Sequence, residues 1–155
     1  MNQEHLLREL QNVGRSVERL FSLLPADRLE WRPQENMRTL LELANHLAQV
    51  PSVDLKILQG AAQPEVQGLE RALTRGDAGA LTEVWRHGVE AVAAYYGPLT
   101  AERFMTETGK AFYGHEATLS EWLLEIITHT YHHRAQLFTY LKLMGLPVDM
   151  FTLYA

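Results

Sequence analysis

The sequence of 155 residues contains no cysteine. That single absence removes disulfides, CxxC redox pairs, thiolate zinc sites and a cysteine nucleophile. Long apolar runs are missing too, and none approaches the ~20 residues that a membrane-spanning helix needs. The opening Met1-Asn2-Gln3-Glu4-His5 is polar and lacks the basic-then-apolar order of a signal peptide. Nor is there a surplus of positive charge. Lys and Arg number 14 against 19 Asp and Glu, a net charge of −5, which is the wrong sign for nonspecific nucleic-acid binding. The expectation is a soluble, cytoplasmic protein with neither nucleic acid nor membrane as partner.

What is present is helical periodicity from end to end. Hydrophobic residues make up 46% and charged residues 21%, the balance of an ordinary globular domain. Leu6, Leu7, Leu10, Val13, Val17, Leu20, Phe21 and Leu24 recur at spacings of three and four, the apolar stripe of one amphipathic helix, and Pro25 stops it. After a linker holding Trp31-Arg32-Pro33, Thr39-x-x-Glu42 is a capping-box start for a second helix. This helix continues to Gly60, with a kink or bulge expected at Pro51. Residues 64–75 carry a weak signal for a short helix. Asp77 is a plausible N-cap for a third long helix with the stripe Leu81, Val84, Trp85, Val89, Val92 and Tyr96, closed by Gly97-Pro98. Thr118-x-x-Glu121 opens a fourth, which ends at Met144 before Gly145 and Pro147. Trp85, Trp122, Tyr140 and Phe21 fall on stripe positions and read as core. The pattern predicts one all-α domain over residues 1–155, a four-helix bundle. A long irregular connection, 99–117, precedes the last helix, with a small hairpin or ordered cover between Phe104 and Tyr113.

Seven histidines stand where cysteine is missing. At ~100° per residue, His133 lies about 40° from His129, in the middle of the fourth helix's apolar stripe. An i, i+4 pair of imidazoles on one face can converge on a single ion, the geometry that an HExxH helix uses. His46 occupies the equivalent inward position on the second helix, close to Pro51. Three inward histidines make a metal site possible; the same spacing also suits hydrogen-bonded core histidines. Asp54, about 80° from His46 on the same helix, is a lesser candidate for a two-histidine, one-carboxylate site. His132 is off to the side of the pair, and His115-Glu116 lacks the second histidine of HExxH because Leu119 stands there. No Glu is followed three residues later by His, which disfavours a ferritin-like di-iron site.

These residues carry a resemblance to a known family. The run His129-Thr-Tyr-His-His133-Arg134-Ala135-Gln136 resembles the HxxxHRGQ signature of the DinB/YfiT-like metalloproteins. Leu29-Glu-Trp31-Arg-Pro33, Met37-Arg-Thr39, Glu42-Leu-Ala-Asn-His46-Leu47 and the closing Gly145-Leu-Pro147 are similar to that family in order and position. The resemblance implies an up-down-down-up four-helix bundle. It implies a divalent metal, zinc or nickel, held by His46, His129 and His133. Ala135 departs from the family's usual Gly, on the helix side away from the metal. Gln136 is the candidate for a role beside the metal, toward bound water or substrate, or else as a buried residue bonded to backbone. Arg134 points away and is expected to pair with an acidic residue on a neighbouring helix.

Three neutral histidines leave a divalent ion with its full charge and one open position. Such an ion lowers the pKa of bound water or thiol. The resemblance implies metal-dependent S-transfer from a low-molecular-weight thiol, or hydrolysis, in stress response or detoxification, with a small-molecule substrate and a homodimer. The alternatives are a metal-binding stress protein without turnover, and an interaction module with no metal at all.

Overall fold

Each long helix begins where a side chain satisfies its free amides. In the computed structural model, which describes residues 2–154, Asn2 accepts from the His5 N–H and opens α1 (Gln3–Ser22). Thr39 and Glu42 form a reciprocal capping box at α2 (Leu40–Leu58), and Thr118 and Glu121 form another at α6 (Leu119–Leu143). Asp77 accepts from the Ala80 N–H at the start of α4 (Ala78–Tyr96). The sequence signals at Thr39, Asp77 and Thr118 therefore mark real helix starts. The weak segment near residue 64 is α3 (Gln63–Leu73). Gly145, with φ +79, supplies the left-handed turn that releases the chain from α6.

Side-chain contacts give the direction of each helix. Gln3 of α1 reaches Tyr96 and Glu18 pairs with Arg86, so α1 and α4 are antiparallel. Glu9 meets Tyr131 and Ser16 meets Arg134, so α1 and α6 run the same way. His46 faces His133 while Asp54 faces His129, so α2 opposes α6. The connectivity is up-down-down-up, with α2 packed on both α4 and α6. The core between them holds Leu10, Phe21, Leu43, Leu47, Trp85, Tyr96, Trp122 and Leu123, all essentially buried.

Helix α2 runs from Leu40 to Leu58 with Pro51 inside it. Although proline removes one hydrogen bond, Pro51 is buried against α4 where Gly88 has no side chain. A Cβ there would stand 2.8 Å from Ser52 Oγ and 3.1 Å from Pro51 Cβ. Helix α4 therefore covers the segment in which a bend was expected. One local expectation needs correction: the connection before α6 is not irregular. It holds α5 (Ala101–Thr106) and an antiparallel hairpin of β1 (Thr108–Lys110) and β2 (Glu116–Thr118). The hairpin is displaced toward the C-terminus from the expected stretch, because Phe104 is the buried anchor of α5 and not a strand residue. A short helix α7 (Met150–Tyr154), not signalled in the sequence, follows the Gly145 turn.

The hairpin is tied to the bundle by one tight approach. Trp122 Nε1 donates to the Gly109 carbonyl at 2.9 Å. A Cβ on Gly109 would lie 2.5 Å from the Leu58 carbonyl oxygen, a backbone atom that cannot swing away. Gly109→Ala is predicted to lower stability by about 1–3 kcal/mol, read as a lower urea midpoint. An unchanged midpoint would show that the hairpin does not dock as described.

Candidate metal centre

The register of α2 against α6 brings three imidazoles together. One ring nitrogen from each of His46, His129 and His133 lies within 4.8 Å of the others. His46 Nε2 and His133 Nε2 are 2.9 Å apart. Two nitrogens bonded tetrahedrally to one zinc stand about 3.4 Å apart, so the rings need only a small adjustment to share an ion. His133 is buried, and His46 and His129 are half-buried.

The outer nitrogens of two rings are held. His129 Nδ1 is 2.8 Å from Asp54 Oδ2, and His133 Nδ1 is 2.8 Å from Gln136 Oε1. The Gln136 amide oxygen can only accept, so His133 donates from Nδ1, and the Asp54 carboxylate accepts from His129 Nδ1–H in the same way. Both Nε2 lone pairs are then free to face the cluster. This carboxylate–histidine and amide–histidine arrangement is the outer-shell pattern of metal sites. The residues fit a metal ion: three ring nitrogens converge, and the Nδ1 atoms of His129 and His133 are engaged away from the cluster.

Burial, with the neighbouring His133, pushes the His46 pKa down to about 3. Burial likewise brings His133 down to about 4, against the opposing pull of its bond to Gln136. Both rings are therefore neutral ligands at physiological pH. For His129, burial works against the charged form, but the hydrogen bond and charge of Asp54 outweigh it and raise the pKa. Asp54 is itself raised by burial, with the His129 contact acting in the opposite direction.

Asp54 is not in the three-nitrogen cluster. Sequence reasoning weighed it only as a replacement ligand and missed its role as partner of His129. The signal was its inward place two turns beyond His46. Gln136 lies beside His133 and bridges to His132, with Nε2 3.1 Å from His132 Nε2. Its contacts are thus with histidine rings and not with backbone. Arg134 departs from expectation. It is buried, donates to Ser16 Oγ at 3.2 Å and lies over the Tyr131 ring, with no acidic partner among the described residues. Trp31 packs edge-on against Tyr140.

Two clefts border the cluster. One, of about 370 Å³, includes His46 and Arg38; the other, of about 540 Å³, includes His129, Asp54, Glu125, His132, Tyr113 and Trp122.

Comparison with known proteins agrees with this architecture. The DinB family model matches residues 1–155. The chain belongs to the DinB family. A protein from Exiguobacterium sibiricum 255-15 assigned to the DinB family is similar in structure, with a TM-score of 0.80 and 26% identity over 95% of this chain and 94% of that one. A DinB-like protein from Bacillus cereus ATCC 10987 shares the fold at a TM-score of 0.75 and 20% identity, covering 96% of each chain. Another, YjoA from Bacillus subtilis, does so at 0.68 and 20% identity, covering 93% of this chain and 96% of that one. No curated protein sequence matches. Among the described residues, no helix is long and apolar enough to cross a membrane.

The depressed imidazoles of this DinB family member make a prediction about acid stability. Between the unfolded histidine value of 6.5 and the folded values of about 3 and about 4, the unfolded chain binds more protons than the folded one. The stability that these two rings contribute to the metal-free protein should therefore fall as pH drops below 6.5 and level off near 3 to 4. The double variant His46→Gln with His133→Gln should show a flatter profile in urea unfolding across that range. Parallel profiles would contradict the assignment of both rings as buried and neutral.

Proposed function

We propose that this DinB family protein is a divalent-metal-dependent enzyme acting on a small molecule at His46, His129 and His133. The reading favours zinc or nickel, and transfer of a low-molecular-weight thiol to an electrophile, with hydrolysis as the other reaction of the same centre. The observation that carries it is the convergence of three ring nitrogens, on imidazoles of which two have their Nδ1 engaged by Asp54 and Gln136. A structural zinc site is closed by four protein ligands, whereas three leave a position for substrate.

When bound, the ion supplies a Lewis acid that lowers the pKa of a water or thiol. The chain's own residues do the rest. Asp54 keeps the proton on His129 Nδ1 and fixes the ring plane. Gln136 does the same for His133 and orders His132 at the rim. The cleft beside His129 brings the Tyr113 and Trp122 rings near the centre, surfaces that suit an apolar electrophile. With no cysteine in the chain, a sulfur nucleophile has to arrive with a second substrate.

The proposal is tested with metal-loaded protein and two probe reactions: conjugation of a small thiol to an activated aryl halide, and hydrolysis of an activated ester. One of them is expected to be accelerated and to be lost in His133→Ala. Asp54→Asn, which leaves the three ligands in place, should cost about 10–100-fold in metal affinity or rate. Equal rates in the wild type and His133→Ala would reject catalysis at this centre.

A further inference from the structure

Of the two clefts that border the histidines, one holds a guanidinium and the other holds no Lys or Arg. On the His129 side stand Asp54 and Glu125. On the His46 side stands Arg38, in the same cleft as His46. Arg38 is exposed and forms no ion pair among the described residues. Two carboxylates share its cleft, but Glu42 is engaged with the Thr39 N–H at 2.7 Å and Glu30 makes no contact with the guanidinium. The backbone of Arg38 is pinned from α6, where Tyr140 donates its hydroxyl to the Arg38 carbonyl at 3.2 Å. The side chain is thus a free cation anchored at the mouth of the site.

We propose that Arg38 binds an oxyanion of the substrate, a carboxylate or a phosphate, while the reacting group lies at the histidine cluster. The site then takes small anionic molecules. A guanidinium offers a planar fork of N–H donors that matches either oxyanion in a bidentate way. Arg38 and His46 line the same cleft, so an oxyanion held by the guanidinium lies beside the histidine cluster. The inference rests on the three histidines being where substrate reacts.

The test reads Arg38 directly. Propionate, inorganic phosphate or uncharged propionamide is titrated at constant ionic strength into metal-free and zinc-loaded protein. The Arg38 Nε–H and His46 ring resonances are followed by NMR. The expected result is a saturable shift at both residues with at least one oxyanion and none with propionamide. Arg38→Gln should weaken that binding about tenfold and Arg38→Lys by less, because a point charge replaces the fork. The oxyanion that saturates at the lower concentration names the substrate's group. The proposal is overturned if Arg38 shows no saturable shift, or if Arg38→Gln binds as tightly as the wild type. Failure of zinc to load would reject the metal reading alone, since the metal-free titration still decides the role of Arg38.

Discussion

The antiparallel register of α2 against α6 is the constraint on which the centre depends. It sets His46 opposite His133 and Asp54 opposite His129. A slip of one residue along either helix would turn a side chain by ~100° and disperse the set. Several contacts hold the register. The Gly109 carbonyl takes the Trp122 indole proton at one end, and the Arg38 carbonyl takes the Tyr140 hydroxyl at the other. Between them, the Gly88 gap lets α4 press on Pro51. The hairpin and the linker are therefore parts of the device that positions the imidazoles.

Buried imidazoles in an apolar stripe cost desolvation if charged, and the bundle leaves His46 and His133 neutral. That same neutrality suits them to a cation. His46 Nε2 and His133 Nε2, 2.9 Å apart, share one hydrogen bond through a proton on His46 Nε2. A divalent ion would take that proton's place, and the Nδ1 atoms of His129 and His133 are already engaged elsewhere. The two clefts also differ in lining, with the Arg38 guanidinium in the one beside His46 and no Lys or Arg in the one beside His129.

Much of this was legible in the sequence because it depends on local rules. Helix starts follow from capping residues at Thr39, Asp77 and Thr118, and the bundle follows from stripes of period 3.6. The inward pointing of His46, His129 and His133 follows from angles on a helix. What was not legible depends on partners distant in the chain. Asp54 reads as an odd buried acid until α6 brings His129 against it. Arg134 carries a charge that suggested an acid, yet its neighbours are Ser16 and a tyrosine ring. The hairpin strands are three residues each, too short for a period-2 signal to stand out. That Gly88 of α4 covers Pro51 could not be seen from the α2 sequence either.

The central claim is that three histidines of this DinB family protein form a metal site. The most direct measurement is elemental analysis of tag-free protein, before and after incubation with zinc or nickel, for the wild type and for His46→Ala and His133→Ala. The account predicts one divalent ion per chain in the wild type and its loss in both variants. No ion in the purified protein and no uptake on incubation would contradict it.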